Sequence, residues 1–445
     1  MKKLFAIALS LLTAFAPAQA QNIWVAVQAR QLIPNFTLNG GLPHWQACRA
    51  KVIGGTANCT VLIIGESTPR GWGAMFNGAL NDAASGAWPV QVAVQLRQIY
   101  GFNAQANSIA GSGNVGNMAT FAAYDTRVVT ANNWTIYSVG ACSGNNVFAG
   151  GCSFEAAAND TTAFEFNPKN TTTYPSAPTV PTNTLDVYSL NVNLSAGFGN
   201  LSVNVNGGSS LGTINQSGSG AVTYTKTTIT TGGTAVDNTW ELTCTSAANG
   251  CFFDAIVARN SAVPEASFID MGIGGATVEL WATPTSCNSP SCPLTAIQNT
   301  YKPDLCIIQD QGNDQSAGTV IATYKTNYEA IIAACQASGD ALIVTSQPSN
   351  PAFSGNPTYD VQQTYVAAQQ QIAAAMNVPI LDWWTTMCGT VSGTGSGSTC
   401  SRGGWTAGIA NGWNGSFNGE TQDVDHQGPY AYAVLASQVA QILMQ

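Results

Sequence analysis

The chain has 445 residues, of which 45% are hydrophobic and only 8% charged, and 14 basic against 23 acidic side chains give a formal net charge of −9. An acidic, charge-poor surface argues against nucleic acid and against anionic membranes as partners. The length exceeds one ordinary domain, so two are expected.

The first segment, MKKLFAIALSLLTAFAPAQAQN, has Lys2 and Lys3, an apolar stretch from Leu4 to Phe15, and the small-x-small site Ala18-Gln19-Ala20. That is a secretory signal peptide over residues 1–20, with cleavage after Ala20. The apolar stretch is too short for a membrane span, and no later segment reaches about 18 uninterrupted apolar residues. No cysteine follows the cleavage site, which speaks against a lipid anchor. The mature protein is expected to be soluble and secreted, either extracellular or periplasmic.

All 12 cysteines follow the leader, and they fall as near neighbours: 48/59, 142/152, 244/251, 287/292, 306/335 and 388/400. In an oxidising compartment this reads as a set of short-loop disulfides, although spacing alone does not determine connectivity. A metal site is the weaker reading, because C-x-x-C pairs are absent and the chain has two histidines. No cofactor and no metal are expected.

The pattern changes character twice. Residues 21–124 hold the first α/β part. CTVLIIGES is a short buried strand, and WPVQVAVQLRQIYG is an apolar-periodic helix ending at Gly101. Within this part, VLIIGESTPRGWGA (61–74) exhausts its apolar run at Gly65 and presents Glu66-Ser67-Thr68. A serine there is either a turn cap or, at the C-terminal end of a buried strand, a nucleophile. Residues 125–265 read as β only. TLDVYSLNVNL, NLSVNVNG, AVTYTKTTIT, TWELTCTS and CFFDAIVARN are separated by turn clusters, the pattern of a β-sandwich. Residues 266–445 resume the α/β rhythm, with ASFID, LCIIQ, ALIVTSQPS and VPILDWW as strands. YKTNYEAIIAACQASG, YDVQQTYVAAQQQIAAAMN and GPYAYAVLASQVAQILMQ read as helices. Alternating strands and helices imply a parallel sheet. GTVSGTGSGSTC (389–400) reads as a flexible low-complexity loop.

Nucleophilic hydrolysis needs a hydroxyl, a base, a group to orient the base, and donors for the oxyanion. The two histidines are His44, before the first strand, and His426, before the last helix. His426 has Asp423 three residues upstream and Asp425 beside it. DMGIGGAT places Gly274-Gly275 after one strand and IIQDQGND places Asn313-Asp314 after the next. Either turn alone is ordinary turn chemistry. Serine, glycine, asparagine and histidine all arriving at strand C-terminal ends mark the ligand edge of an open parallel sheet.

The order of these segments resembles the SGNH (GDSL-type) hydrolase superfamily, whose four blocks carry Ser, Gly, Asn and an Asp-x-x-His pair. IGEST resembles the first block, with Glu66 where aspartate is usual. DMGIGGAT resembles the second, with its glycine at Gly275 and Asp270 in place of asparagine. KPDLCIIQDQGND resembles the third, with the asparagine at Asn313 and Gln311 where glycine is usual. DVDH matches Asp-x-x-His as Asp423 and His426. The resemblance covers roughly 44–101 and 266–445. It implies an α/β fold, a flavodoxin-type three-layer parallel sheet, interrupted by an inserted all-β sandwich like the jelly-roll insert of some members. It implies that Ser67 is the nucleophile, His426 the general base and Asp423 its orienting carboxylate, with Asp425 as the alternative. The Ser67 and Gly275 amides and the Asn313 side chain would form the oxyanion hole.

Other signals are weaker. GSGNVG (111–116) fits G-x-G-x-x-G, but the next acid, Asp125, comes too soon for a ribose ligand, so a loop beside Ser67 is the better reading. Trp383 and Trp384 read as core, while Trp405 and Trp413 sit among Gly and Asn, where one could stack on a sugar or rim the acyl pocket. Arg70 and Arg402 read as surface residues in preference to clamps for an acidic sugar. The expected function is a secreted serine esterase that removes short acyl groups, acetyl foremost, from a polysaccharide or glycoside; the partner is an acylated carbohydrate or small ester. The rival readings are a lipase or thioesterase on lipid acyl chains, an acyltransferase, and a non-catalytic carbohydrate-binding surface protein.

Overall fold

A computed structural model describes residues 33–72, 74, 83–110, 118–130, 133–136, 153–169, 181–191, 198–217, 223–245, 247–283, 292–405 and 426–445. The leader, the GSGNVG segment, Trp413, Asp423 and Asp425 lie outside them.

The apolar runs form one seven-stranded sheet. Its spatial order is Phe36–Thr37, Ile380–Leu381, Asp340–Val344, Leu305–Gln309, Cys59–Gly65, Ala266–Asp270 and Ala104–Gln105. All neighbours run parallel except the Phe36–Thr37 edge, which pairs antiparallel with Ile380–Leu381. The chain leaves the Cys59–Gly65 strand for Ala104–Gln105 and Ala266–Asp270 on one side and then crosses to Leu305–Gln309 on the other. This reversal is the switch point at which open α/β sheets bind ligands, beyond the C-terminal strand ends.

The strands are apolar throughout because both faces are covered. Leu62 and Ile64 point into one core, with Ile269, Ile308, Tyr328, Ile331 and Ile372. Val61 and Ile63 point into the other, with Phe268, Ile307, Trp88, Val92 and Leu435. This is the two-residue alternation of a strand read against two helical layers. The first layer contains helices Ile321–Gln336 and Tyr359–Ala375. The second contains Pro43–Ile53, Trp88–Gln98 and Pro429–Met444.

Two sequence expectations change. VPILDWW is a strand only over Ile380–Leu381; Trp383–Cys388 is helical, because Asp382 caps it by accepting the Thr385 N–H at 2.9 Å. The low-complexity loop closes into a hairpin, Val391–Ser392 against Thr399–Cys400, beside the Cys388–Cys400 disulfide.

Between the first and second long parallel strands, the chain pairs into antiparallel sheets of five, four and three strands. Ser108–Ala110 joins the four-stranded sheet through Ala255–Val257. CFFDAIVARN divides into Phe252–Phe253 in one sheet and Ala255–Arg259 in another. These sheets pack directly on the α/β part: the Tyr188 and Tyr301 rings stack with centroids 4.3 Å apart. Tyr224 and Tyr301 share a hydroxyl hydrogen bond of 2.8 Å. Disulfides join Cys48–Cys59, Cys244–Cys251, Cys306–Cys335 and Cys388–Cys400, and Cys292 is also disulfide-bonded. Cys142, Cys152 and Cys287 lie outside the described residues.

Candidate active site

Strand Cys59–Gly65 ends where it does because of Gly65. A Cβ there would stand 2.0 Å from the Gln309 carbonyl oxygen of the neighbouring strand, a separation no side chain tolerates. The backbone therefore lies against Leu305–Gln309 and then turns, with the Glu66 N–H donating to that same carbonyl at 3.3 Å. Ser67 follows at the sheet's C-terminal edge. Its Oγ is 2.6 Å from Nε2 of His426.

His426 precedes the last helix, and its neighbour Gln427 is fully buried. Gln427 Oε1 accepts the Trp383 indole N–H at 2.7 Å, which fixes the chain at the point where the imidazole leaves it. His44 is exposed on the Pro43–Ile53 helix, close to Asp340 at the start of its strand and so at the opposite edge of the sheet.

Glu66 does more than stand in for an aspartate. Glu66 is 3% exposed, and its carboxylate accepts the Asn313 backbone N–H at 3.0 Å and the Ser346 hydroxyl at 2.8 Å. Three strand ends are thereby tied together: those after Cys59–Gly65, Leu305–Gln309 and Asp340–Val344. Burial pushes the Glu66 carboxyl above its ordinary range, while the hydrogen bonds from Ser346, Asn313 and Gly312 and the charge of His426 pull it back.

The Asn313 side chain donates one amide hydrogen to the Ala276 carbonyl at 2.9 Å, which leaves the second for another acceptor. Gly275, with φ of +78°, sits immediately before that carbonyl. The turn carrying it is anchored by Ile273 N–H to Gly65 O at 3.0 Å and by Gly272 N–H to the Asp270 carboxylate at 2.9 Å. Asp270 is raised to about 6, by burial first, with the Arg70 guanidinium opposing. Gln311 needs no glycine at its position: its φ is −157°, and its Oε1 accepts the Ser346 N–H at 3.2 Å.

The cleft is lined by Glu66, Ser67, Thr68, Gly312, Asn313, Ser316, Gln347, Ser349 and His426. Apart from one glycine, every residue is polar or charged. Gly275 is adjacent to this lining without belonging to it. Gln347 and Ser349 escape sequence reading, because TSQPS looks like the tail of a strand. The available signal is a polar run directly after a buried strand at the same sheet edge.

Three other expectations resolve. Trp405 is 1% exposed and packs with Tyr359, Val366 and Trp384, so it is core and rims nothing. Arg70 is 5% exposed and donates to the Asp270 and Ala110 carbonyls, so it is a buried tie and not a surface residue. Arg402 is exposed and donates to the Thr386 carbonyl at 2.8 Å. Among the described residues, Cys48, Cys59 and Asp304 lie close enough to share a metal ion, but the two cysteines are joined as a disulfide and offer no thiolate.

Residues 229–394 match the model of the GDSL-like Lipase/Acylhydrolase family. That segment of the chain resembles a GDSL-type (SGNH) hydrolase. The matched range contains the Gly275 and Asn313 blocks; Ser67 and His426 lie to either side of it. The chain is an ester-hydrolysing enzyme with the fold of a solved peptidoglycan O-acetylesterase. The two superpose with a TM-score of 0.62 at 15% identity, over 91% of this chain and 97% of the other. An acetylxylan esterase from Geobacillus stearothermophilus also matches, at 12% identity and a TM-score of 0.28 over 40% of this chain and 73% of its own. A salicylyl-acyltransferase from a tetracycline biosynthetic pathway matches at 10% identity and a TM-score of 0.28, over 75% of this chain and 95% of its own. No curated protein matches the chain. Among its described residues, no helix is long and apolar enough to cross a membrane.

Proposed function

We propose that the chain is a secreted serine esterase that removes short acyl groups, acetyl foremost, from a polysaccharide or glycoside. The observation that carries this reading is the 2.6 Å contact of Ser67 Oγ with His426 Nε2 in a polar cleft at the switch point of the sheet. His426 takes the Ser67 proton as the oxygen attacks the ester carbonyl, then returns it to the leaving alcohol. Water repeats the sequence on the acyl-enzyme. The Ser67 and Gly275 amides and the free hydrogen of the Asn313 amide receive the oxyanion, each such donor lowering the barrier by about 3–4 kcal/mol. Asp423 orients the imidazole.

The short acyl group follows from the lining. A long alkyl chain would lie against serine, threonine, asparagine and glutamine, where its burial displaces water from polar groups and leaves them unpaired. An acetyl methyl is small enough to avoid that cost. The likeness of fold to a peptidoglycan O-acetylesterase supports a glycan as the carrier. The β-rich residues 125–265 form an inserted module that presents the glycan. The leader at 1–20 and the disulfides support export.

The test is hydrolysis of a p-nitrophenyl ester series by the disulfide-intact mature chain. Activity is expected to be highest on acetate, to fade with chain length, and to fall by on the order of a million-fold in kcat for Ser67→Ala or His426→Ala. Variants as active as wild type, or rates that rise with chain length, would overturn it.

A further inference from the structure

The cleft lining carries a hydroxyl with no hydrogen bond among the described residues. Ser349 lines the cleft with Ser67 and His426, is 8% exposed, and its Oγ has no hydrogen-bond partner among the described residues. A buried hydroxyl left unpaired is costly, so such groups are normally satisfied. The surroundings explain why this one is not. Gln362, itself fully buried, clamps both backbone groups of Ser349: the Ser349 N–H donates to Gln362 Oε1 at 3.1 Å, and Gln362 Nε2 donates to the Ser349 carbonyl at 3.1 Å. The Trp384 indole N–H donates to the same Oε1 at 3.1 Å and holds the clamp in turn. The backbone of Ser349 is thus fixed by Gln362, while its hydroxyl, on a residue of the cleft lining, stays unpaired among the described residues.

We infer that Ser349 is a specificity residue whose hydroxyl hydrogen-bonds the alcohol half of the ester, selecting polyhydroxylated alcohols such as sugars over alkyl or aryl alcohols. This rests on the esterase reading above. The alcohol half is the partner because a short acyl group brings no polar atom beyond its carbonyl, and that oxygen is taken by the oxyanion donors of the reading above. A preformed, rigid hydroxyl costs the complex little ordering. A substrate without a matching hydroxyl leaves it unpaired, which penalises the wrong alcohol.

The experiment compares wild type and Ser349→Ala on a mono-O-acetylated methyl glycoside and on p-nitrophenyl acetate, with thermal melts alongside. The variant removes one oxygen and leaves the backbone clamp intact. Its kcat/KM on the acetylated glycoside is expected to fall about tenfold, the value of one neutral hydrogen bond. Its rate on p-nitrophenyl acetate should stay within about twofold. An equal fall on both substrates would assign the hydroxyl to the catalytic machinery, and no change on either would leave it without a role in recognition; both outcomes overturn the inference. So does a wild type whose activity is confined to the aryl ester. A wild type inactive on p-nitrophenyl acetate as well would instead remove the esterase reading, and this inference with it.

Discussion

Ser67 Oγ and His426 Nε2 meet at 2.6 Å although 359 positions of chain separate them. Each is fixed by a different device. Ser67 is presented by the backbone contact of Gly65 with Gln309, and His426 by the burial of Gln427 against Trp383. The hydroxyl–imidazole geometry is therefore set by strand packing on one side and by a buried side-chain hydrogen bond on the other. Each device can be perturbed without touching the reacting atoms.

Gly65→Ala is the sharpest such perturbation. The added methyl would meet a backbone oxygen at 2.0 Å, and no rotamer change relieves it. The strands must part, at a cost of about 1–3 kcal/mol or more. Displacement of Ser67 by about 1 Å should lower kcat by roughly 100-fold. A variant with wild-type melting temperature and kcat would refute this account of the turn.

Asn313→Ala removes the proposed oxyanion donor and the bond to the Ala276 carbonyl. We expect kcat to fall by about 10²–10³-fold with little change in KM, because the lost interaction strengthens in the transition state. A rise in KM at unchanged kcat would assign Asn313 to ground-state binding.

Glu66 tests the tie between strand ends. Glu66→Ala leaves the Asn313 N–H and the Ser346 hydroxyl without their acceptor in a buried site, at about 1–3 kcal/mol for each group left unsatisfied. Stability and kcat should fall together. Glu66→Gln keeps an oxygen for the Asn313 N–H and turns an amide toward Ser346, whose hydroxyl can reverse and accept. It should retain most of the activity. Equal losses in the two variants would show that charge, and not hydrogen-bond geometry, holds the loop.

Glu265 predicts the pH dependence of stability. It is 1% exposed, and burial raises its carboxyl from 4.5 to about 8, against the Ser267 hydrogen bond and the Arg259 charge. Between those values the folded chain holds a proton that the unfolded chain has released. Its contribution is fully present below about 4.5 and is lost as pH rises toward 8, at up to about 1.4 kcal/mol per pH unit. Denaturant melts across that window should show the decline, and Glu265→Gln should flatten it. An unchanged profile in the variant would assign the decline to other groups.

The sequence by itself determined the α/β alternation and the segments that meet at the candidate site. Buried parallel strands must be apolar on both faces, so TVLIIG and LCIIQ are visible as runs. The turns that follow them are marked by Gly65, Gly275 and Asn313, because turn conformation is a local property of the chain. The tertiary structure alone decided which ends meet. Strand order places Cys59–Gly65 between Ala266–Asp270 and Leu305–Gln309, and only that order brings Glu66 to the Asn313 N–H and to Ser346. The Gln347–Ser349 wall and the burial of Trp405 were hidden for the same reason. Periodicity reports how a segment sits in its own layer. The neighbours of a loop beyond that layer are set by sheet register and packing between positions hundreds of residues apart, which no local pattern encodes.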